Sequence, residues 1–205
     1  MGKPDAPKIV MNKFSFDPES HIYKINGNII PSVTQILRDL IPSYQATPWH
    51  MQRGRAAHAC YALIAQGKEF EFDPRLAGYV AGCRKFFADL KPDVGHIEQQ
   101  VYSETYQYAG TYDLSCKIDG RYMLIDYKST LTDAVPYQLA AYMTAMLKMQ
   151  GRLVHYGMGV EIHDDGTYRL SEVYDLNKFK NEWLCLLTAF KIRQKFGLCQ
   201  KENES

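Results

Sequence analysis

The chain has 205 residues, of which 46% are hydrophobic, and its 24 Lys and Arg residues against 23 Asp and Glu residues give a formal net charge of +1. This length fits one domain with a substantial core, so we expect a single folded domain over residues 1–205 with flexible ends at residues 1–13 and 200–205. The balanced charge argues against a broadly basic protein that coats duplex DNA.

Neither a secretory signal nor a membrane span is visible. The chain opens M-G-K-P-D-A-P-K, without the apolar stretch of a signal peptide, and no apolar run approaches the length of about 18 residues that a membrane span needs. We therefore expect a soluble protein without a membrane partner, in the cytoplasm of a bacterium or a phage-infected host cell. The cysteines are scattered without a C-x-x-C pair, which predicts reduced and mostly buried thiols. They are Cys60, Cys83, Cys116, Cys185 and Cys199.

The first predicted elements are a hairpin and a helix. His21–Ile25 alternates polar and apolar residues, an Asn-Gly pair follows, and Asn28–Ile30 forms the returning strand. Ser32 and Gln35 have the spacing of a capping box, which predicts that a helix begins there.

Two more helices are predicted before residue 96. One covers Pro48–Ala65 and ends before Gly67, and the next follows Asp73 and Pro74. The apolar face of the latter helix is predicted to comprise Leu76, Tyr79, Val80, Cys83 and Phe87.

Strands dominate the remainder of the chain, with two helices among them. The predicted strands are Ile97–Glu104, Thr111–Ile118, Arg121–Lys128, Leu153–Ile162 and Tyr168–Asp175. The predicted helices are Val135–Gln150, with Leu139, Met143, Met146 and Leu147 on its apolar side, and Leu176–Phe196, which ends before Gly197. Helices and strands in this order indicate an α/β fold with a mixed central sheet.

The most informative stretch is a predicted hairpin that carries two aspartates. Asp119-Gly120 is typical of a two-residue turn, and counting outward equally from this turn places Asp113 opposite Asp126. Their Cβ atoms are expected about 5 Å apart on one face of the sheet. Lys128 lies two residues beyond Asp126 and shares that face.

Two like charges in this position repel each other unless a cation compensates. Carboxylate oxygens suit Mg²⁺ or Mn²⁺, and a lysine beside such an ion can position or activate a water molecule for attack on phosphorus. The alternative interpretation is an ordinary surface hairpin with exposed Asp and Lys side chains.

Two helices offer further candidate residues. Gln138 and Tyr142 share one face of the helix that follows the hairpin, where they can hold a phosphate or the lysine. His58 lies on the helix Pro48–Ala65 among apolar neighbours. The alternatives are an ordinary helix surface for the first pair and a hydrogen-bonded core histidine for the second.

The order of these motifs resembles the PD-(D/E)XK nuclease superfamily, and within it the RecB-type exonucleases, which include phage exonucleases and the mitochondrial genome-maintenance exonuclease. The likeness covers roughly residues 20–195. It rests on His58, Glu98, G-T-Y-D at Gly110–Asp113, I-D-Y-K-S at Ile125–Ser129 and Q-L-A-A-Y at Gln138–Tyr142. The resemblance implies the α/β fold of that superfamily, in which helices flank a mixed central sheet.

The resemblance also implies roles for single residues. The metal ligands would be His58, Asp113, Asp126 and the carbonyl of Tyr127. Lys128 would position or activate the attacking water.

Other roles implied by the resemblance are less specific. Gln138 would support the lysine or contact DNA, with Tyr142 beside it, and Glu98 matches a recurrent acidic position that is a metal ligand or lies next to one. Arg53 and Arg55 would reach phosphates of the substrate. A strand-edge carboxylate remains the alternative for Glu98, and a solvated helix start is the alternative for the two arginines.

The implied activity is that of a Mg²⁺- or Mn²⁺-dependent DNA exonuclease, acting on DNA ends or single strands in replication, recombination or repair. The alternatives are a structure-specific or restriction-like endonuclease of the same fold, or a DNA-binding module that does not cut. Some relatives hold an iron–sulfur cluster with three late cysteines, but this chain has only Cys185 and Cys199 there, so no cluster is expected. Candidate protein partners are a recombinase, a single-strand-binding protein or a helicase.

Overall fold

A computed structural model of the chain describes residues 13–41, 47–151 and 154–199. The described strands are β1 (Phe14–Asp17), β2 (Ile22–Ile25), β3 (Asn28–Ile30), β4 (Asp93–Ser103), β5 (Tyr108–Ile118), β6 (Arg121–Lys128), β7 (Tyr156–Ile162), β8 (Tyr168–Leu170) and β9 (Tyr174–Asp175). The described α-helices are α1 (Val33–Leu40), α2 (Pro48–Ala65), α3 (Ala77–Leu90), α4 (Val135–Gln150) and α5 (Leu176–Lys195), and a short 3₁₀-helix covers Pro74–Leu76.

The first three strands form an antiparallel sheet in the order β1-β2-β3. The predicted hairpin β2–β3 is confirmed, and its turn residues Asn26 and Gly27 have φ values of 51° and 81°, as the favoured type of two-residue turn requires. Strand β1 was not predicted from the sequence, and it directly follows the end that was expected to be flexible. Residues 1–12 and 200–205 of the expected flexible ends lie outside the described residues.

Helix α1 begins at the predicted capping box. The Ser32 hydroxyl accepts a hydrogen bond from the Gln35 amide at 3.1 Å, and the Gln35 side chain accepts one from the Ser32 amide at 2.7 Å. These two bonds satisfy amide groups that a helix start otherwise leaves without partners. A bridge from Ser32 to Ala109 then joins this segment to the larger sheet.

The larger sheet has six strands, with β4-β5-β6-β7-β8 in order and β9 paired with β7. Among the described strand pairs of this sheet, β6–β7 is the parallel one. Helix α4 connects these two strands, since parallel neighbours need a crossover connection. The remaining described pairs are antiparallel. The predicted mixed central sheet is therefore confirmed.

Helices cover both faces of this sheet. Apolar residues of α1, α4 and α5 form one core, and those of α2 and α3 form a second core on the other face. Helix α4 is buried on nearly all sides from Gln138 to Met146, whereas the sequence pattern predicted a single apolar side. The difference arises because α4 packs against the sheet and also against α1 and α5.

Helix α3 differs from its prediction at one core position. Phe86, rather than the predicted Phe87, is fully buried, and Phe87 is half-buried at the edge of the same core. Cys60, Cys83 and Cys116 are buried free thiols as expected, but Cys185 is exposed and Cys199 is half-buried. None of the helices in the described ranges has the length and hydropathy of a membrane span.

Glycines let the turn between β7 and β8 approach α3 closely. A Cβ atom added at Gly82 would lie 2.7 Å from the Thr167 carbonyl oxygen and 2.9 Å from Ile162 Cγ2. At Gly78 the added atom would overlap the backbone of Asp164. Since a backbone neighbour cannot rotate away, these two positions of α3 need glycine.

We expect Gly82→Ala to lower the free energy of unfolding by about 1–3 kcal/mol, because the new methyl group overpacks a tight backbone contact. The measurement is urea denaturation followed by circular dichroism. Gly54→Ala in α2 is the matched control, since a Cβ atom there meets nothing within 4 Å, and it should raise the stability instead. Equal stability changes in the two variants would contradict the packing explanation.

Candidate active site

A cavity of about 660 Å³ opens where β4, β5 and β6 meet α2 and α4. The small N-terminal sheet supplies another part of its wall through His21 and Tyr23. Eight of the residues predicted from the sequence line this cavity, namely His58, Arg55, Glu98, Asp113, Asp126, Lys128, Gln138 and Tyr142. The fold therefore brings together residues that lie up to 87 positions apart between Arg55 and Tyr142.

The hairpin β5–β6 has the predicted turn and register. Asp119 and Gly120 have φ values of 49° and 74°, and the pairing continues from Ile118–Arg121 to Leu114–Ile125. The described ladder ends one pair before the two aspartates, so they are not paired residues as predicted. At this point a side chain, rather than the backbone, joins the two strands: Asp113 Oδ2 accepts a hydrogen bond from the Tyr127 amide at 2.7 Å.

Asp126 lies at the centre of a polar cluster formed by β6 and α4. Lys128 Nζ is 2.7 Å from Asp126 Oδ2, and Gln138 Nε2 donates to Asp126 Oδ1 at 2.8 Å. The same Gln138 nitrogen lies 3.0 Å from the Tyr142 hydroxyl. Gly110 makes room for this arrangement, because a Cβ atom there would lie 2.5 Å from the Tyr142 ring.

A second cluster joins α2, β4 and β5. His58 Nδ1 lies 3.3 Å from Asp113 Oδ1. One ligand atom each from His58, Glu98 and Asp113 lies within 4.8 Å of the others, and among the described residues these form the one such group. An imidazole nitrogen with two carboxylate oxygens is a donor set that fits a divalent metal ion.

Glu98 reaches this cluster through an unusual backbone conformation. Its φ value is 48°, in the left-handed region, although it lies inside strand β4. The pairing of β4 with β5 omits Glu98 and resumes at Gln99. A non-glycine residue in this region costs on the order of 1–3 kcal/mol and is held only where its surroundings enforce it, which is common at functional sites.

The charges of the cluster at His58 support one another. Burial raises the pKa of Asp113, but the charge and hydrogen bond of His58, with Lys128 and the Tyr127 amide, lower it, and the net shift is downward. Burial lowers the pKa of His58, whereas Asp113 raises it, and the net shift is upward. Both shifts favour the pair of imidazolium and carboxylate when no metal ion is bound.

Glu98 is solvent-accessible within the concave cavity, where the surrounding protein displaces much of the bulk water. This desolvation, together with the charge of Asp113, raises the pKa of Glu98 from 4.5 to about 7. A bound cation would favour the ionised form and reverse this shift.

Asp126 and Lys128 form an ion pair in a buried setting. Burial raises the pKa of Asp126, and Asp113 adds to this while Lys128 opposes it, with a net upward shift. Burial lowers the pKa of Lys128, but the Asp126 and Asp113 charges raise it, and the net shift is upward. Lys128 is thus a protonated hydrogen-bond donor rather than a base in this state.

The two arginines predicted to bind phosphate are placed differently. Arg55 is exposed on the cavity wall, and no carboxylate within the described residues forms an ion pair with it. Arg53 is not among the described residues that line the cavity, and its guanidinium lies 4.8 Å from the Trp49 ring centre and 5.2 Å from that of Tyr79. Substrate contact by Arg53 stays a prediction that this geometry does not favour.

The ring of Tyr127 is buried in the core next to His58. It is 2% exposed and its ring centre lies 5.1 Å from that of Tyr61 and 6.3 Å from that of His58. The role of its carbonyl as a metal ligand stays a prediction.

Several residues of the cavity wall were not predicted from the sequence. His21, Tyr23, Met51, Gly54 and Thr111 line it, and the Tyr23 and Thr111 hydroxyls lie 2.9 Å apart. Periodicity could have found Thr111, two residues before Asp113 on β5, and Gly54, four residues before His58 on α2. No spacing rule links His21 and Tyr23 to the aspartates, since the small N-terminal sheet reaches the cavity only through tertiary packing.

Comparisons with known proteins give evidence on the fold. No protein-family model matches the sequence, and no curated protein is found to be similar. A crystal structure of a putative exonuclease from Eubacterium rectale aligns with a TM-score of 0.51 at 13% identity and covers 83% of this chain and 83% of its own. LHK-Exo, an alkaline exonuclease from Laribacter hongkongensis, aligns with a TM-score of 0.40 at 12% identity, over 82% of this chain and 88% of its own.

A structure of LHK-Exo in complex with dAMP gives a TM-score of 0.46 at 12% identity, with 82% of this chain and 89% of that chain covered. Identities this low show similarity of fold alone, and the TM-score exceeds 0.5 for the structure from Eubacterium rectale. The aligned region covers the same share, 83%, of both chains. This chain therefore has a mixed α/β fold similar to that of the putative exonuclease from Eubacterium rectale.

Proposed function

We propose that this chain is a divalent-metal-dependent deoxyribonuclease that hydrolyses phosphodiester bonds as an exonuclease. One observation carries the proposal: a donor set for a metal ion and a protonated lysine lie in the same cavity. Both groups favour phosphodiester hydrolysis, because each stabilises the negative charge that develops on the phosphate oxygens in the transition state.

The metal site would comprise His58, Glu98 and Asp113, with Asp126 and the Tyr127 carbonyl as further ligands when the ion is present. Their imidazole and oxygen donors suit Mn²⁺ or Mg²⁺. Such an ion would supply Lewis-acid polarisation of the phosphate and would offset the negative charge of the carboxylates. The upward pKa shift of Glu98 supports this assignment, since a carboxyl group that is costly to ionise alone gains most from a cation.

Lys128 and Gln138 would act on the reacting groups from the other side of the cavity. The Lys128 ammonium group can donate hydrogen bonds to the attacking water and to a non-bridging phosphate oxygen. Gln138 holds the Asp126 carboxylate at 2.8 Å and thereby orients the partner of Lys128. Arg55, exposed on the same wall, would bind a neighbouring phosphate.

Two choices rest on the similarity of fold: DNA as the substrate, and cutting from a free end. The structural neighbour from Eubacterium rectale is described as a putative exonuclease. We assign the activity to the processing of DNA ends or single strands in replication, recombination or repair.

Digestion of linear and covalently closed circular DNA with Mn²⁺ tests the exonuclease mode. We expect end-labelled linear strands to be degraded and closed circles to remain intact, because an exonuclease needs a free end. Efficient cutting of closed circles would instead indicate an endonuclease of the same fold. Binding without any degradation would indicate a module that does not cut.

Lys128→Ala should lower kcat on linear DNA by about 10²–10³-fold, since it removes a preorganised charge from the transition state. Lys117→Ala is the matched control on the neighbouring strand, where the lysine lies 4.4 Å from the Tyr122 ring centre and outside the described cavity lining. The measurement is the initial rate of nucleotide release under saturating DNA. If Lys128→Ala kept the wild-type rate, the assignment of this lysine would be wrong.

The pKa of Glu98 gives a pH dependence with a definite sign. Its pKa is about 7 in the folded protein and 4.5 in the unfolded reference, so the unfolded chain binds fewer protons between these values. In the absence of metal, Glu98 therefore makes the folded protein less stable as the pH rises through this window. A metal ion at the site must displace this proton below about pH 7.

The increase in Tm on adding Mn²⁺ should consequently be larger at about pH 8 than at about pH 6. Glu98→Gln should reduce both increments and weaken their pH dependence, because its side chain has no proton to lose. Glu104→Gln, which changes an exposed carboxyl group just after β4, is the control and should behave as the wild type. Differential scanning fluorimetry provides the readout, and equal increments at both pH values in the wild type would contradict the assignment of Glu98.

A further inference from the structure

The described helices contain three glycines, and only two have a packing reason. Gly78 and Gly82 in α3 lie against the backbone of the β7–β8 segment, where a Cβ atom would collide. Gly54 in α2 differs, because an added Cβ atom would meet no described atom within 4 Å. Its φ value is not in the left-handed region either, and it lies in the helix interior.

A glycine in this position lowers the stability of α2. Glycine gains more conformational freedom on unfolding than alanine does, and it is among the least favourable residues in a helix interior. No packing contact among the described residues compensates for this loss of stability. The open space beside Gly54 lets an external ligand approach the helix backbone closely.

Gly54 faces the candidate active site. It lines the cavity together with Met51, Arg55 and His58, which follow one another along the same side of α2. Gly54 precedes His58 by four residues, so the two positions are neighbours about 5–6 Å apart on the helix surface. This separation is comparable to the spacing of successive phosphates along a single DNA strand.

Charge identifies the part of the substrate that would contact this surface. Arg55 is exposed next to Gly54, and among the described residues it has no carboxylate partner. It is thus available to an anionic ligand. The bare backbone at Gly54 offers no further charged or polar side chain, so it suits close contact with a chain whose phosphate is bound by the neighbouring arginine.

We propose that the sugar–phosphate backbone of the DNA strand passes directly over α2 at Gly54, with one phosphate at the His58 cluster and the adjacent phosphate near Arg55. This inference rests on the proposed nuclease function and deepens it. Glycine keeps the strand close enough to the helix for the scissile phosphate to reach His58, Glu98 and Asp113. Any side chain at position 54 would lift the strand away.

The test uses Gly54→Ala and Gly54→Leu, since alanine and leucine are both strong helix formers. Gln52→Leu is the matched control, because it adds the same side chain to an exposed α2 position outside the described cavity lining. Thermal unfolding, kcat/KM on end-labelled single-stranded DNA with Mn²⁺, and Kd for the same labelled oligonucleotide are measured for each variant. The Kd series is made in the Lys128→Ala background, so that binding is read without cutting.

We expect Gly54→Ala to raise Tm by about 2–4 °C while kcat/KM falls about tenfold. Gly54→Leu should keep a Tm at or above that of the wild type, lower kcat/KM further and raise Kd, whereas Gln52→Leu should match the wild type in kcat/KM and Kd. The combination of greater stability with weaker binding cannot come from a damaged helix.

Wild-type kcat/KM and Kd in both Gly54 variants would overturn this inference and leave the nuclease function intact. Failure of the proposed function would look different, because the wild type itself would then neither degrade nor bind the labelled DNA.

Discussion

Two largely buried aspartates in one cavity impose the constraint on which the rest of the site depends. Asp113 is 9% exposed and Asp126 is 2% exposed, and buried like charges are costly unless cations compensate them. The protein places one basic side chain against each: His58 from α2 faces Asp113, and Lys128 from β6 faces Asp126. The pKa of Asp113 falls, because His58, Lys128 and the Tyr127 amide outweigh its burial. The pKa of Asp126 rises, because its burial and the charge of Asp113 outweigh Lys128.

Close packing of α4 on the sheet keeps the second pair in place. Gly157 and Gly159 in β7 lack side chains where Leu139 and Val135 of α4 approach, and a Cβ atom at these glycines would lie 2.9 Å and 3.1 Å from them. This proximity lets Gln138, between those two helix positions, reach Asp126. The apolar contacts between α4 and β7 fix the position of the helix. This position in turn determines where Gln138 lies relative to Asp126.

Two features of the cavity wall lower the stability of the folded chain. Glu98 adopts a left-handed conformation inside a strand, and Gly54 weakens the interior of a helix. Costs on the order of 1–3 kcal/mol for the first and about 1 kcal/mol for the second are substantial beside the net stability of a domain. Both residues line the same cavity, whereas the two glycines of α3 serve packing elsewhere. A local loss of stability at a cavity wall is what a binding site for an external ligand produces.

The sequence by itself determined the local elements and the hairpin that carries the aspartates. Asn26-Gly27 and Asp119-Gly120 specify turns with positive φ values, Ser32 and Gln35 specify a capped helix start, and α2 and α4 have the bounds that their patterns predict. These features depend on neighbours along the chain, so a local pattern contains them. The role of His58 as a metal ligand was inferred only through a resemblance to a known family, whereas helix spacing had already placed Gln138 near Lys128.

Only the tertiary structure decided how that site is completed. Four features of the site depend on tertiary structure. They are the end of the β5–β6 ladder at Leu114, the left-handed backbone conformation of Glu98, the position of Arg53 over Trp49 and the cavity wall at Gly54. Burial of α4 on nearly all sides depends on two other helices in the same way. Residue periodicity records which side of an element is apolar, but it contains no information on which distant element will cover that side.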